Sequence, residues 1–433
     1  MSMETSSNGT RRPRLLLVVN VFAPDRGGGA AVFTDLAYAL VERGFDVTVR
    51  CAYPYYPEWR DKSGNNGVRV ERYEDHGVHV ERYGIFIPRD PNSLGQRLLY
   101  EGSFFLSLAR ALKRDRGRFD LTMVFCPLVG AVAYAALRKR LFGGPLWLNV
   151  QDLSADAAAA SGITKGQTMT SGLASVQNAL FNEADVWSSI SPEMLTRLDQ
   201  LRTGDQPLLY LPNWLNRSLA DEIDALPAKS LPREGEPVRL LYAGNIGTKQ
   251  DLLAFCQTLA RSDAPFHFRI HGSGGRADAV RQWIEQLGDD RFTFGPFLDE
   301  AGFIRAIHES DLFVITEKAG SGGSFIPSKL IPAISTSTPI LAVCDREGPL
   351  GEEMHRAHLG PHIAWSDLDQ VPTLLRTLAA SPESARAWQQ QALDRSVFYQ
   401  RERVVDEFER TIHRILHREP LADSAVLREA SIA

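Results

Sequence analysis

The 433-residue chain has few cysteines and no long uninterrupted apolar run. Its four cysteines, Cys51, Cys126, Cys256 and Cys344, are scattered, with no CxxC pair and no histidine at metal-ligand spacing. This pattern argues against a disulfide framework and a zinc site, and it fits a reducing cytoplasm. No run reaches 18 apolar residues, so we expect no transmembrane helix.

The chain also lacks the apolar stretch of a signal peptide in its first thirteen residues. We expect residues 1–13 and residues 420–433 to be flexible tails. The prediction is therefore a cytoplasmic protein that is at most peripheral on the inner face of a membrane.

The formal net charge of −5 conceals a basic segment. Residues 101–150 contain 8 basic and 3 acidic residues, and the stretches 109–118 and 137–142 mix Arg and Lys with Leu, Ala and Phe. A basic, partly apolar face docks on anionic lipid, so residues 101–142 are a candidate membrane contact. A solvated helix flank is the alternative, and the acidic total and absence of a recognised module disfavour nucleic acid.

Short apolar runs alternate with amphipathic stretches in both halves of the chain, and a segment rich in Pro and charge, 225–237, separates the halves. This pattern predicts an α/β protein with two doubly wound sheets. Predicted strands are 14–21, 45–53, 121–127, 146–152, 185–191 and 208–214, then 238–247, 266–274, 292–297, 311–316 and 338–344. Predicted helices are 32–44, 94–114, 129–142, 251–261, 276–288, 300–310 and a long one at 385–417.

The loops that follow the strands are rich in glycine and contain lysine. Ligands of doubly wound sheets bind at the carboxyl ends of strands, so these loops are expected to face one cleft. The stretch GSGGSFIPSKL, residues 320–330, suits a phosphate or diphosphate, because Gly permits close backbone approach, Ser328 favours a helix start and Lys329 adds charge. A flexible loop before an ordinary surface helix is the alternative reading.

Several motifs together resemble the GT-B-fold glycosyltransferases of the retaining family 4 type, in particular the colanic-acid and exopolysaccharide enzymes. The resemblance covers residues 14–415 and rests on Gly27–Gly29, 150–162, 211–216, 242–252, 271–275, 319–330 and 338–342. Each motif is weak alone, but their order and spacing are specific.

The resemblance implies two Rossmann-like domains facing a cleft, with a C-terminal helix that crosses back to the N-terminal domain. The implied limits are 14–220 for the acceptor domain, 221–237 for a linker, 238–395 for the donor domain and 396–419 for the crossing helix. It further implies a nucleoside-diphosphate sugar as donor, an acceptor that is often a polyprenyl-diphosphate-linked saccharide, and neither a metal nor a cofactor.

The resemblance also implies the site residues. Asp152, Lys249 and Lys329 are the candidate catalytic residues; donor-binding candidates are Gly28, Gly29, Gly244, Asn245, Gly272, Ser273, Gly274, Gly295, Phe297, Ser324, Phe325, Ile326, Pro327 and Ser328. Structural alternatives stay open: Asp152 as a helix cap, Lys249 as a surface lysine, Phe297 as core and the glycines as turns. Asn213 is expected to order the connection between the domains.

Two departures from the family pattern bear on activity. The paired glutamates of the family fall here at Ser324 and Pro332, Glu317 is nearby but out of register, and Asn245 stands where many relatives have Arg. The alternative function is therefore an inactive, glycosyltransferase-like binding protein. An epimerase lacks acid and base residues at matching positions, and a nicotinamide dehydrogenase is disfavoured because the first loop is not GxGxxG.

Overall fold

The computed structural model describes residues 11–25, 29–90, 93–152, 167–230, 232–320 and 326–424. Its first half forms an eight-stranded sheet with the order β3-β4-β2-β1-β5-β6-β7-β8. The strands are β1 Arg14–Val18, β2 Asp46–Ala52, β3 Glu71–Asp75, β4 Val78–Tyr83, β5 Leu121–Cys126, β6 Leu146–Val150, β7 Val186–Ser189 and β8 Leu208–Tyr210. All neighbouring strands are parallel except β3, which pairs antiparallel with β4 at the edge.

The second half forms a parallel six-stranded sheet with the order β11-β10-β9-β12-β13-β14. The strands are β9 Val238–Asn245, β10 Phe266–Ser273, β11 Phe292–Gly295, β12 Leu312–Thr316, β13 Ile340–Val343 and β14 His362–Ile363. Strand order reverses between β9 and β12, and such a switch point opens a ligand-binding crevice at the carboxyl edge.

Helices cover the two sheets. They are α1 Ala30–Glu42, α2 Leu94–Ala109, α3 Val129–Phe142, α4 Gln167–Phe181, α5 Pro192–Leu201, α6 Arg217–Asp224, α7 Leu252–Ala260, α8 Ala277–Leu287, α9 Glu300–Glu309, α10 Leu330–Ser335, α11 Pro349–Ala357, α12 Gln370–Ala380, α13 Glu383–Ser396 and α14 Arg401–Leu416. None of the helices in the described part of the chain combines the length and the apolar character needed to cross a bilayer.

Alternating side chains of the central strands fill separate core layers. Leu240 and Tyr242 of β9 belong to one buried cluster, whereas Leu241 and Ala243 belong to the cluster on the opposite face. Successive residues of a strand point to opposite faces, so helices must cover both sides of this sheet. The predicted class of two doubly wound α/β layers is thereby confirmed.

The C-terminal helix α14 packs on the first sheet. Phe408 stacks on Trp147 with ring centroids 5.3 Å apart, and Arg401 Nε lies 2.9 Å from Asp35 Oδ2 on α1. The predicted return of the chain to the N-terminal half is therefore present. The predicted single helix over 385–417 is wrong, because a 3₁₀ turn at Val397–Tyr399 separates α13 from α14.

Other differences from the predicted elements are local. The predicted helix over 94–114 ends at Ala109 and continues as a 3₁₀ turn, Leu112–Arg114, and the strands predicted at 208–214 and 338–344 are shorter. Helix α6 runs to Asp224, so the chain is still helical where the linker was predicted to begin at 221. The hairpin of β3 and β4 was not predicted.

Candidate functional site

Four strands of the second sheet end side by side and bring most of the predicted site residues together. Register pairs Gly272 of β10 with Gly244 of β9, and Ser273 with Asn245. Gly295, the last residue of β11, pairs with His271 of β10. The loops 244–249, 271–275 and 295–297 therefore share one carboxyl edge, as predicted.

Close backbone packing explains two of the glycines at this edge. A Cβ atom on Gly272 would lie 2.1 Å from the carbonyl oxygen of Gly244. Gly274 has a φ of +138°, and its Cβ would lie 2.6 Å from Asn245 Oδ1. The Ile246 amide also donates to the Ser273 carbonyl at 2.8 Å. These glycines are thus required by the contact between the two loops, independently of any ligand.

Lys329 brings a positive charge to the edge of the sheet. Its Nζ lies 4.0 Å from the centre of the Tyr242 ring, and its Cδ and Nζ lie 3.9 Å from where a Gly244 Cβ would be. The side chain is half-buried, and desolvation lowers the pKa of Lys329 to about 7 although Glu317 opposes the shift. A half-buried ammonium on an aromatic face is a suitable partner for an anion.

The loop after β9 carries the second predicted lysine. The Lys249 carbonyl accepts a 2.6 Å hydrogen bond from the Lys318 amide, which fixes this loop beside the end of β12. Gln250 Oε1 accepts from the Gly247 amide at 2.9 Å and from Asn245 Nδ2 at 3.5 Å. Asn245 is thus used in ordering the loop and adds no charge.

Glu317 is a further candidate site residue. The sequence analysis did not include it among the site residues, because it is out of register with the paired glutamates of the family. It directly follows β12, its side chain is 4% exposed, and neither carboxyl oxygen has a hydrogen-bond partner among the described residues. Burial raises the pKa of Glu317 to about 8, with Asp345 reinforcing the shift and Lys329 and Lys249 opposing it. The sequence did contain a signal for Glu317: it is an acidic residue directly after a buried strand, and that strand ends in this crevice.

The edge at β11 presents an aromatic side chain. His271 Nδ1 lies 3.1 Å from the Pro296 carbonyl, and the His271 ring occupies the space beside Gly295 that a Cβ would fill. Phe297 is 64% exposed, so the alternative that it belongs to the core is wrong. The exposed ring and neighbouring backbone groups are available to a planar ligand group.

The Gly- and Ser-rich loop lies partly outside the described residues. Ser324 and Phe325 of this loop are among the residues that are not described, and so is Gly28 of the N-terminal loop. Ile326 packs against the core of the first half and against one core layer of the second, and Pro327 is buried while Ser328 is exposed. The predicted helix start at Ser328 is wrong, because α10 begins at Leu330 with Lys329 in the N-cap position.

On the first sheet, Gly29 and Asp152 follow the carboxyl ends of β1 and β6. Gly29 precedes α1, and a Cβ there would collide with the Phe33 ring at 2.2 Å. Asp152 is half-buried two residues after β6 ends. The next residues, 153–166, are not described.

The side chain of Asn213 belongs to a chain of hydrogen bonds at this edge of the first sheet. Asn213 Nδ2 donates to Gln151 Oε1 at 2.9 Å, and Gln151 Nε2 donates to Asn149 Oδ1 at 2.6 Å. Asn149 in turn donates to Ser188 Oγ at 2.9 Å. These hydrogen bonds fix the side chain of Gln151, which directly precedes Asp152.

A cavity of about 180 Å³ lies between α7 and α8, lined in part by Thr248, Gln257, Arg276 and Lys318. Its volume is below the roughly 300–1,000 Å³ that small-molecule sites occupy. None of the predicted site residues lines it, so we do not assign it to the site.

A second surface feature is the outer face of α2. Leu98, Leu99 and Leu106 are 50%, 58% and 66% exposed, and their spacing places them on one side of the helix. Basic residues are close by in the chain: Arg97 lies on α2 itself, and Arg110, Lys113, Arg114 and Arg116, all exposed, follow its last turn. We call these eight residues the α2 face.

The other basic stretch of the predicted membrane contact, residues 137–142, is largely occupied by internal contacts. Arg138 is buried and donates to Thr122 Oγ1 at 2.8 Å. Lys139 pairs with Asp185 and Arg140 pairs with Glu183. The candidate contact therefore shifts from the whole of 101–142 to the α2 face, which keeps residues 106–116 of that range and adds Arg97, Leu98 and Leu99.

Comparisons with known proteins agree with this geometry. Residues 27–214 match the family model of the glycosyl transferase 4-like domain. The chain is 25% identical over 341 residues to WcaI of Escherichia coli K12, described as a colanic acid biosynthesis glycosyl transferase; the match covers 76% of this chain and 83% of WcaI.

Solved structures share the fold over nearly the whole chain. Sucrose-phosphate synthase from Thermosynechococcus elongatus superposes with a TM-score of 0.71 at 15% identity, covering 94% of this chain and all of that one. HepE of Anabaena, crystallised in complex with UDP and glucose, gives a TM-score of 0.63 at 15% identity, covering 93% of this chain and all of HepE.

Proposed function

Because this chain is a GT-B-fold glycosyltransferase of the family 4 type, we propose that it transfers a sugar from a nucleoside-diphosphate sugar to a saccharide acceptor, with retention at the sugar carbon. The observation that carries the donor assignment is the Lys329 ammonium, half-buried on Tyr242 at the carboxyl edge of the second sheet. The complex of HepE with UDP and glucose supports this choice of donor class.

The chemical task is to stabilise the charge that develops on the leaving diphosphate. In this proposal Lys329 and Lys249 supply positive charge at the β9–β12 crevice, and backbone N–H groups of Gly244, Ser273 and Gly274, at the same carboxyl edge, add hydrogen bonds. We assign Gly29, which precedes α1 on the first sheet, to the same diphosphate; Gly28 belongs to this assignment and lies outside the described residues.

The remaining donor groups lie on either side of the diphosphate. Phe297 and the backbone of Gly295 hold the base, and Asp152 contacts the transferred sugar or the acceptor. We assign Ile326, Pro327 and Ser328 to the proximal sugar; Ser324 and Phe325 belong to the same assignment and lie outside the described residues. The domain limits implied by the family, 14–220, 221–237, 238–395 and 396–419, belong to this same proposal.

The acceptor is a lipid-linked saccharide of exopolysaccharide, capsule or O-antigen assembly at the inner face of the membrane. The relationship to WcaI supports the pathway class. The α2 face supports the location, because exposed leucines beside basic side chains are complementary to an anionic bilayer.

A thermal-shift screen against UDP-, GDP-, ADP- and dTDP-sugars tests the donor assignment. A specific donor at 100 times its Kd stabilises by about 2.7 kcal/mol, which is a rise of a few degrees in Tm for a chain of this size. Lys329→Ala removes a charge from the diphosphate site, so we expect at least a tenfold weaker Kd in a titration. Arg233→Ala, on an exposed side chain of the segment before β9, is the matched control.

The alternative, an inactive donor-binding protein, rests on the absence of acid at Ser324 and Pro332 and of Arg at position 245. Turnover separates the two functions, since both bind a donor but only the enzyme releases nucleoside diphosphate. Absence of any shift with folded protein contradicts the donor assignment. A shift without turnover, with lipid-linked acceptor supplied, selects the alternative.

A further inference from the structure

We propose that donor binding is coupled to a proton: Lys329 takes up a proton from solvent when the diphosphate binds, and Glu317 is the positioning residue that sets the pH of this uptake. The proposal rests on the donor function proposed above, and it adds how the protonation of the site changes when the donor binds. Neither the motifs nor the paired-glutamate pattern assigns a role to Glu317.

The first observation is the way in which Glu317 is held. Its backbone is fixed on both sides, because its amide donates to the Val343 carbonyl at 2.8 Å and its carbonyl accepts from Trp365 Nε1 at 2.6 Å. Its carboxyl is nonetheless 4% exposed and makes no hydrogen bond within the described part of the chain. A buried, unsatisfied carboxyl is costly, and such groups persist where function needs them.

The second observation is the neighbouring base. Lys329 does not hydrogen-bond to Glu317; its ammonium lies over Tyr242 and 6.0 Å from the centre of the Phe313 ring. The acid and the base act on each other through their charges, but they do not form a hydrogen-bonded ion pair. An anion can therefore approach the ammonium without first breaking a direct bond.

Other charged and titratable groups face this pair from each neighbouring element. They are Lys249 after β9, Tyr242 on β9, and Cys344 and Asp345 after β13. Asp345 Oδ2 is engaged by the Gly320 amide at 2.6 Å. Asp345 and Lys249 act on the Glu317 carboxyl in opposite directions, which leaves Lys329 as its main charged partner.

The proton balance follows from these positions. The pKa of Lys329 is lowered to about 7 and the pKa of Glu317 is raised to about 8, so near pH 7.5 the empty site holds fewer than two protons. A bound diphosphate favours the ammonium and disfavours the carboxylate, and both effects draw protons onto the pair. Binding is therefore tightest below pH 7 and weakens as the pH rises through 7 to 8.

Isothermal titration in buffers of different ionisation enthalpy measures this uptake. UDP-glucose is the probe, with GDP-mannose, ADP-glucose and dTDP-glucose used in turn if it does not bind, because their diphosphate esters do not titrate near neutral pH. We expect uptake of about half to one proton near pH 7.5 and a roughly tenfold rise in Kd between about pH 7 and about pH 8.5.

Three variants test which residue takes up the proton and which one sets the pH dependence of Kd. Lys329→Met removes most of the uptake near pH 7.5 and gives a weaker Kd with a shallower pH dependence, because only the Glu317 carboxyl is left to titrate. The isosteric Glu317→Gln keeps uptake but moves the rise in Kd to lower pH, since Lys329 loses the attraction of the carboxylate. Lys249→Met, the matched control, weakens binding while uptake persists.

Donor binding without proton exchange in the wild-type protein overturns this inference and leaves the proposed function intact. An unchanged pH profile in Glu317→Gln overturns the role of Glu317. Failure of every donor to bind contradicts the proposed function itself, so the two failures are distinguishable.

Discussion

At the residue scale, the glycines of the second sheet show that backbone packing and ligand binding can both require a glycine. Gly272 and Gly274 are needed where the loops after β9 and β10 touch, whereas Gly275 has no atom within 4 Å of its would-be Cβ. The sequence alone predicted a glycine-lined crevice, but it did not distinguish the glycines that face a ligand from those that face another backbone.

Gly272→Ala tests this distinction. Its Cβ must push against the Gly244 carbonyl and Ile246 Cδ1, so we expect a loss of about 1–3 kcal/mol in the free energy of unfolding. Urea titration measures the loss. Gly275→Ala is the control and stays within about 0.5–1 kcal/mol of wild type. Equal stability of the two variants contradicts the packing account.

Glu317 shows why the site was only partly predictable at this scale. Lys249 followed from the family resemblance, whereas Lys329 followed from the Gly- and Ser-rich loop and the helix start expected at Ser328. Glu317 lies seven residues before Ser324, where the family pattern has its first glutamate, so counting along the chain excluded it. Only the fold, which places the end of β12 beside Lys329, reveals the relationship.

At the element scale, the predictable helices and strands were those with a strong local signal. Helix α3 was predicted with its observed bounds, 129–142, because the stretch is rich in alanine and leucine, which favour helices, and Gly143 follows it. The hairpin of β3 and β4 was missed because β3, ERYED, is almost wholly exposed and carries no apolar alternation. The break before α14 was missed because neither proline nor glycine marks the 3₁₀ turn.

A buried charge cluster joins β2, β4 and the 3₁₀ turn after α2. Arg50, fully buried, donates to Glu81 Oε2 at 2.8 Å and to Asp115 Oδ1 at 2.7 Å. Burial alone would raise the pKa of Glu81, but Arg50 and Arg118 outweigh it and lower that pKa to about 2. The cluster holds the end of the α2 segment against the first sheet.

The stability from Glu81 therefore depends on pH. Its folded pKa lies below the ordinary value near 4.5, so its contribution is complete above that value and is lost as the pH falls towards 2. Between about pH 6 and pH 3 the loss from this group amounts to about 2 kcal/mol. We expect Glu81→Gln to be less stable than wild type at pH 6. Between about pH 6 and pH 3 the variant should lose about 2 kcal/mol less of its free energy of unfolding than wild type does, as measured by urea titration at both pH values. Parallel losses in the two proteins contradict this.

At the scale of the whole molecule, several contacts set the two sheets against each other. Ile326 lies in both cores, and Arg356 of α11 donates to Glu193 of α5 at 2.8 Å. The Leu215 amide donates to the Tyr399 carbonyl at 3.2 Å, where the chain returns to the first half. Such long-range contacts determine the shape of the cleft, and no local sequence pattern predicts them.

The α2 face belongs to the first half of the chain, where α2 packs on α3 and β4, so the proposed membrane contact would orient the whole molecule through this half. Burying Leu98 and Leu106 in lipid is worth about 1.5–3 kcal/mol each, and each basic residue near an anionic surface adds about 1 kcal/mol. We expect the wild-type protein to float with vesicles of phosphatidylglycerol and phosphatidylethanolamine, and binding to weaken at high salt because the basic contribution is screened.

Leu98→Asp with Leu106→Asp removes the apolar contact and adds two charges that the anionic surface repels. We expect vesicle binding of this double variant to fall by more than tenfold, since about 3 kcal/mol of burial is lost at the least. Both side chains are exposed, so its Tm and its affinity for the donor stay close to wild type. Leu393→Asp, at a leucine 47% exposed on α13, is the control and leaves flotation unchanged. If the double variant floats as well as the control, the α2 face is not the membrane contact.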